Sequence, residues 1–410
     1  MKIALLGYGL EGKATEKYLK THFENCQCDI FEHFMPADLA TKNFSAYDYV
    51  FRSPSVPPLH LPNETSATKY FFDHCPCPII GVTATKGKGT ICSLIKSLLD
   101  TDGADAYLVG NIGSPALDVL DNLTTTSIVI YELSSFQLWD LEKSPHVAVI
   151  GHLEPDHLNV HRDYADYLTA KSNICRHQSS NDYCIFFKNN STTTKLATTS
   201  PAHKIPYPFA VPNDITTSLV LPGEHNHDNA LAAIAAVASL KSLSPSEYIQ
   251  KHHAKITQGL SSFRGLPHRL EFVRKLNGVE YYDDNFSTNP SSLRVAIKAF
   301  PRDNLVVIVG GRDKTDNKDL SEIYEILQSP NIANIILLGE SGRELMDRYH
   351  DQRFALADSL QSAIATARTT AESLDSPIVL MSPAAASFDM FENVYDRGDQ
   401  FKNLVSSLTQ

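Results

Sequence analysis

The stretch "GVTATKGKGT", residues 81 to 90, decides the fold. It follows the apolar run "PII" and precedes "ICSLIKSLL", so it reads as a strand, a glycine-bearing turn and a helix in that order. A phosphate loop has this context, but its usual form is G-x-x-x-x-G-K-[ST]. Anchoring on Gly87 and Lys88 puts Val82 where a glycine is expected and Gly89 where a hydroxyl is expected. The backbone N–H groups from Thr83 to Gly89, through Thr85 and Lys86, can still surround an anion, because Gly87 and Gly89 permit unusual dihedrals and close approach. Lys88 supplies charge for the terminal phosphates, and Thr90 a hydroxyl that can reach Mg²⁺. A glycine-rich turn without a ligand is the competing reading.

Three segments share this grammar of apolar run, polar turn and helical pattern, which is the α/β signature. The first runs from "KIALLGYGLEG" through "CDIFEHF" to "YDYVFRSPSVPP". The second holds "PIIGVTAT", "AYLVGNIG", "SIVIYELSS", "VAVIGHLEPDH" and "YCIFFKNN", and the third "VEYYDDNFSTNP", "NLVVIVGGRDK", "ANIILLGES" and "PIVLMSPAAAS". The expected architecture is three α/β domains: a Rossmann-like N-terminal domain (1–75), a central phosphate-loop domain with a parallel sheet (76–265) and a Rossmann-like C-terminal domain (266–410). "NNSTTTKLATTSPAH", 189 to 203, reads as a mobile surface stretch. In open parallel sheets, ligands bind beyond the carboxyl ends of strands, which places Glu132, His152, Glu154, Asp156 and His157 where chemistry is expected.

Bulk properties narrow the function. At 410 residues the chain is long enough for two to three domains, and no apolar run approaches the roughly 18 residues of a membrane span. Its opening, "MKIALLGYGLEGKA", reads as a first strand and not as a signal peptide. The formal net charge of -11 argues against broad nucleic-acid affinity, although a local basic cleft for phosphates is compatible with it. Seven cysteines suit a reducing, cytoplasmic setting better than a disulfide framework. The pairs Cys26/Cys28 and Cys75/Cys77 lack the spacing of common zinc folds.

"TKGKGT" is similar to the T-N-G-K-[SG]-[ST] loop of the Mur ligase superfamily of ATP-dependent amide ligases, with Ala84 and Lys86 standing where that family usually has Gly and Asn. "NIGSPALDVL" (111–120), "ELSSFQL" (132–138), "GEHNHDNALAA" (223–233), "GLPHRLE" (265–271) and "SPAAASFDMF" (382–391) follow in the family's order, and the resemblance covers nearly the whole chain. "ELSSFQL" is the most specific block. It is similar to that of the members that add D-glutamate to UDP-N-acetylmuramoyl-L-alanine, so the resemblance implies a cytoplasmic, monomeric enzyme for that reaction, with ATP and Mg²⁺ as cofactors. Neither nucleic acid nor membrane is an expected partner. A folylpolyglutamate synthase-like activity, another amino-acid acceptor and a non-catalytic nucleotide-binding homologue remain alternatives.

Residue roles follow from the same resemblance. Lys88, His157 and Lys171 are the expected catalytic residues, and Thr90, Glu132, His157 and Lys171 the expected Mg²⁺ set. In the family the lysine matching Lys171 carries a carbamate; by composition alone a lysine in "DYLTAKSNI" would be a solvated helix face. Asn226, Asn229, Arg269 and Asp284 are expected at the nucleotide, where the two asparagines, three apart, share a helix face. Thr288, Lys314, Ser387 and Phe388 match positions that contact D-glutamate. Phe286 departs from the family, replacing a lysine, and Val394 replaces an aromatic residue.

"GYGLEG" (7–12) has the G-x-G-x-x-G form, and Glu32 follows about 20 residues on, which keeps an NAD reading open. The resemblance instead assigns Gly7, Gly9, Leu10, Gly12, Glu32, Ser53, Asn111 and Ser134 to the UDP-bearing substrate.

Overall fold

A computed structural model describes residues 1–32, 42–300, 304–312 and 320–409. Largely parallel sheets form where the sequence repeats its strand-turn-helix pattern, three of them among the described residues. The first has the order β2-β1-β3-β4, built from β1 (Lys2–Leu6), β2 (Gln27–Phe31), β3 (Tyr49–Arg52) and β4 (Glu64–Ser66). The second has the order β10-β9-β8-β5-β7-β6, with β5 (Ile79–Thr83), β6 (Ala106–Gly110), β7 (Ile128–Glu132), β8 (Val147–Ile150), β9 (Tyr183–Phe187) and β10 (His203–Tyr207). The third has the order β11-β12-β16-β13-β14-β15: β11 (Glu271–Leu276), β12 (Val279–Asp283), β13 (Asn304–Gly310), β14 (Ile332–Leu338), β15 (Phe354–Ala357) and β16 (Pro377–Met381). Within this sheet β11 runs antiparallel to β12.

The chain divides into two compact units. One comprises Met1–Leu219 with His227–Phe263 and contains the first two sheets, while the other comprises Val220–Asn226 with Arg264–Gln410 and contains the third. Strand β5 is buried at every residue, as a central parallel strand covered on both faces must be. Gly81 at its middle lets Pro145 approach; a Cβ there would lie 2.6 Å from the proline Cγ. Helices start where short polar side chains cap them: Ser66 accepts from Lys69 N, Asp163 from Asp166 N, and Ser244 forms a capping box with Glu247. No helix among the described residues is long and apolar enough to cross a membrane.

The stretch 189–203 differs from its sequence expectation. Asn190 caps a helix at Ser191–Ala197, which buries Thr193, Leu196 and Ala197, and β10 begins at His203. Its threonines, read as signs of a mobile surface, satisfy backbone groups instead: Thr194 and Thr198 hydroxyls donate to the Asn190 and Lys195 carbonyls.

Within the first unit, Arg52 joins the first sheet to the second. It is 2% exposed, its Nε lies 3.0 Å from Glu64 Oε1, its Nη1 donates to Val56 O at 3.0 Å and its Nη2 pairs with Asp140. The Glu64 side chain is 5% exposed, and it accepts from the Leu59 and Leu61 amides. Removing the cation strands that carboxylate, so Arg52→Met should lower unfolding free energy by about 3–5 kcal/mol. Denaturant unfolding measures this, and the double variant with Glu64→Gln should recover a large part of the loss.

Candidate active site

The turn after β5 is anchored on several sides. Thr83 Oγ1 donates to Leu133 O at 2.8 Å, and the Thr85 amide to His152 O at 2.8 Å. Thr85 Oγ1 lies 2.8 Å from the Tyr167 hydroxyl and accepts from Glu154 N at 2.9 Å. Gly87 adopts φ +85 as the N-cap of the helix Lys88–Thr101, the left-handed region that glycine enters without strain. A Cβ at Gly87 would sit 2.8 Å from Asn229 Oδ1, so this asparagine lies directly on the loop. Gly89 and Thr90 lie within the first helical turn and Lys86 is exposed.

Two lysines reach the loop from different elements. Lys88 Nζ donates to Ala84 O at 3.0 Å and Thr85 O at 3.2 Å. Lys171, on the helix Tyr164–Arg176, is 2% exposed, contrary to the solvated face that composition alone suggested. Its Nζ donates to Thr83 Oγ1 at 3.0 Å and Ala84 O at 3.1 Å, and it lies 4.9 Å from the Tyr167 ring centroid. Burial, and then the charge of Lys88, hold its amine well below the ordinary lysine range, while Asp156 and Glu132 act in the opposite direction. Glu132 is buried at the end of β7.

His157 has φ +54 and is half exposed, 3.5 Å from Asp156 Oδ2, with its ring 4.9 Å from that of Phe136. His161 stacks on the other histidine's neighbour, Phe136, at 5.3 Å and is buried, with Nε2 2.9 Å from Ser135 Oγ. His152 stays at the surface beside Glu154. Tyr167 was missed in the sequence; its spacing of four from Lys171 puts both on one helix face and was the available signal.

In the first sheet, Gly7 takes φ +87 after β1, and a Cβ there would meet Ser53 Oγ at 2.1 Å; Gly12 packs on the Gly7 carbonyl. Gly9 caps the helix Leu10–His22, Leu10 is 82% exposed, and Glu32 and Asn111 are exposed. Ser134 forms a capping box with Gln137, whose Nε2 donates to Glu11 Oε2 at 3.3 Å. Burial pushes the Glu11 carboxyl from its ordinary 4.5 up to about 7, and its Oε1 is buried without a hydrogen-bond partner among the described residues.

The second unit collects a separate set. Asn226 is buried, its Nδ2 donating to Pro222 O at 2.7 Å, and the division between the units falls just after it. Arg269 lies 5.3 Å from the Phe286 ring centroid in a cation–π contact, with Tyr395 edge-on to Phe286 at 5.2 Å. Asp284 is buried, accepts from Leu270 N at 3.2 Å and Ser382 Oγ at 2.8 Å, and burial raises its carboxyl to about 7. Thr288 is partly buried, Ser387 buried and Phe388 62% exposed; Lys314 lies outside the described residues. His268, Glu271 and Asp283 cluster within 4.8 Å, but Lys402 Nζ already stands 3.3 Å from Glu271 Oε2, which argues against a cation site.

The Mur ligase middle domain matches residues 82–213, and the Mur ligase, glutamate ligase domain matches residues 268–384. The UDP-N-acetylmuramoylalanine--D-glutamate ligase of Ruminiclostridium cellulolyticum is 30% identical, covering 98% of this chain and 93% of its own. The chain belongs to the Mur ligase family. The like-named ligase of Clostridium botulinum strain Okra is 29% identical, covering 99% and 97%. Solved structures share the fold: the UDP-N-acetylmuramate-alanine ligase of Thermotoga maritima (TM-score 0.59, 18% identity, 99% of each chain) and the folylpolyglutamate synthase of Mycobacterium tuberculosis (TM-score 0.59, 14% identity, 82% of this chain and 94% of that one). This Mur ligase is thus an enzyme, an ATP-dependent ligase of peptidoglycan synthesis.

Two outcomes follow for this Mur ligase. Gly87→Ala combines a left-handed backbone with a clash at Asn229, so ATP affinity should fall about tenfold with the fold retained, as nucleotide titration would register. Because the fold favours neutral Glu11, the unfolded chain releases a proton that the folded chain keeps between pH 4.5 and about 7, and stability should fall as pH rises through that window. Glu11→Gln should flatten that slope in thermal unfolding across pH.

Proposed function

We propose that this Mur ligase joins D-glutamate to the L-alanyl carboxylate of UDP-N-acetylmuramoyl-L-alanine at the expense of ATP. Relatives of that name at about 30% identity over nearly the full chain support the substrate pair. The observation that carries the chemistry is the anchored loop after β5, with Lys88 and the buried Lys171 converging on its Ala84 carbonyl. In this reading the three sheets mark three domains, divided near residues 75 and 265, with the UDP moiety on the first, ATP on the second and the amino acid on the third.

The loop amides and Lys88 bind the ATP phosphates and offset charge on the transferring phosphoryl group. The carboxylate attacks the γ-phosphorus, giving an acyl phosphate and ADP. The amine of D-glutamate then attacks the acyl carbon, a tetrahedral intermediate collapses, and phosphate leaves as the amide forms. Asn229, Asn226, Arg269 and Asp284 are assigned to the nucleotide, and Gly7, Gly9, Leu10, Gly12, Glu32, Ser53, Asn111 and Ser134 to the UDP substrate. Thr288, Lys314, Ser387 and Phe388 are assigned to the acceptor.

The donor set suits Mg²⁺. A hydroxyl from Thr90, the buried Glu132 carboxylate and the His157 imidazole are joined by Lys171, whose depressed basicity favours the neutral amine that takes up CO₂ as a carbamate. Bound there, Mg²⁺ would neutralise phosphate charge. Lys171→Ala should reduce turnover by about 10²–10³, with partial recovery in acetate or formate. A variant as active as the parent would remove Lys171 from the mechanism.

The deciding experiment is ATP-dependent phosphate release with UDP-N-acetylmuramoyl-L-alanine, run against D-glutamate, L-glutamate, other amino acids and a folate acceptor system. Release restricted to the muramoyl substrate with D-glutamate is expected. Release with another amino acid alone, or with the folate system, would overturn the assigned pair while keeping the ligase.

A further inference from the structure

Two segments leave the carboxyl ends of neighbouring strands in the third sheet. Residues 284–288 follow β12 and residues 382–388 follow β16, with Asp283 and Met381 in register. Between them lies a side chain that the reaction scheme does not use. Arg397, on the helix Val394–Ser407, is 0% exposed, and its guanidinium contacts both segments. Nε donates to Asn285 Oδ1 at 2.7 Å and Nη2 to Asn285 O at 3.2 Å. Nη2 also donates to Ala385 O at 3.1 Å, and Nη1 to Ala386 O at 3.4 Å.

The surroundings extend this tie. Asn285 is itself held by Asp283 Oδ1, which accepts from its amide at 3.0 Å, and Asp283 Oδ2 stands 2.7 Å from His268 Nδ1. The turn after β13 joins through Arg312 N, which donates to Ala386 O at 2.8 Å, and through Gly311, where a Cβ would lie 3.1 Å from Arg397 Nη1. Every described hydrogen bond of the guanidinium ends on loop residues at strand ends, none on a strand. Each tied segment also carries a buried serine hydroxyl, Ser287 Oγ and Ser387 Oγ, with no partner among the described residues. Leaving such a group unpaired is costly, so both hydroxyls call for a partner beyond the described residues.

We propose that Arg397 is a positioning residue: it fixes the spacing of segments 284–288 and 382–388 so that the Ser287 and Ser387 hydroxyls form a paired donor site for a carboxylate of the incoming amino acid. This rests on the acceptor assignment above. A lysine cannot replace the planar fork, because one ammonium cannot reach acceptors on two segments in fixed directions. Ser287 thereby becomes an acceptor-binding residue, beyond Thr288, Lys314, Ser387 and Phe388.

The test uses the full chain in two readouts. In hydrogen exchange, Arg397→Lys should lose protection in 284–288 and 382–388 together, while the strands of the third sheet keep theirs; unchanged protection in both segments overturns the clamp whether or not the protein turns over. In steady-state kinetics, Arg397→Lys and Ser287→Ala should each raise KM for the acceptor amino acid about tenfold while KM for ATP stays within about threefold. Added guanidinium ion should lower the acceptor KM of Arg397→Ala and leave the parent unchanged. An acceptor KM unmoved by Ser287→Ala, a variant too small a change to unfold the chain, overturns the paired-hydroxyl site. Absence of parent turnover with every acceptor counts against the ligase reading alone, since the exchange readout still decides the clamp.

Discussion

The constraint on which the site depends is the placing of the carbonyl groups of the loop after β5. A turn that is to offer its N–H groups to phosphate must have its carbonyls directed elsewhere, or their partial negative charges would oppose the ligand. Here Ala84 O and Thr85 O accept from Lys88, and Ala84 O also accepts from Lys171. The side chains of Thr83 and Thr85 fasten the same residues to the turns that follow β7 and β8. Because β5 is paired with both of those strands, the three strand ends meet in one place. The charge of Lys88 there, added to burial, holds the Lys171 amine below the ordinary lysine range.

The same device appears in all three sheets at different sizes. In each sheet the turns that leave a pair of adjacent parallel strands face each other. In the first sheet Gly7 and Ser53 face each other across β1 and β3; in the second, Thr85 and His152 do so across β5 and β8; in the third, Asn285 and Ala385 are bridged across β12 and β16. The bridging groups differ: a bare glycine edge in the first, a backbone hydrogen bond in the second and a guanidinium in the third.

Much of this was legible in the sequence because it is local. The strands that end in "GVTAT", "YELSS" and "VIVGG" are apolar runs broken by polar turns, and the phosphate loop announces itself by glycine and lysine spacing alone. The family resemblance supplied residue roles that spacing could not. The remainder depends on contacts distant in sequence. Nothing near Lys171 shows that its helix would bury the amine against Thr83, and nothing near Arg397 shows that it would meet Asn285. Strands β4 and β15, of three and four residues, and the helix at Ser191–Ala197 were missed for a related reason: segments so short carry little periodic signal of their own, and packing against longer elements fixes them. Glu11, read only as part of a glycine motif, gains its character from burial against Gln137.

The helix Val394–Ser407 passes so close to His268 that a Cβ on Gly398 would stand 2.1 Å from the ring nitrogen. Neither position can therefore drift alone. A larger residue at 398 would first require the ring at 268 to shrink, and a smaller residue at 268 would leave a gap beside the buried Asp283 carboxylate, whose Oδ2 would then lose its imidazole partner. Sequence change across this pair has to pass through a less stable intermediate. Two residues far apart in the chain are thus coupled in inheritance, and the turn that carries Arg269 is bound to the fate of one missing methyl group.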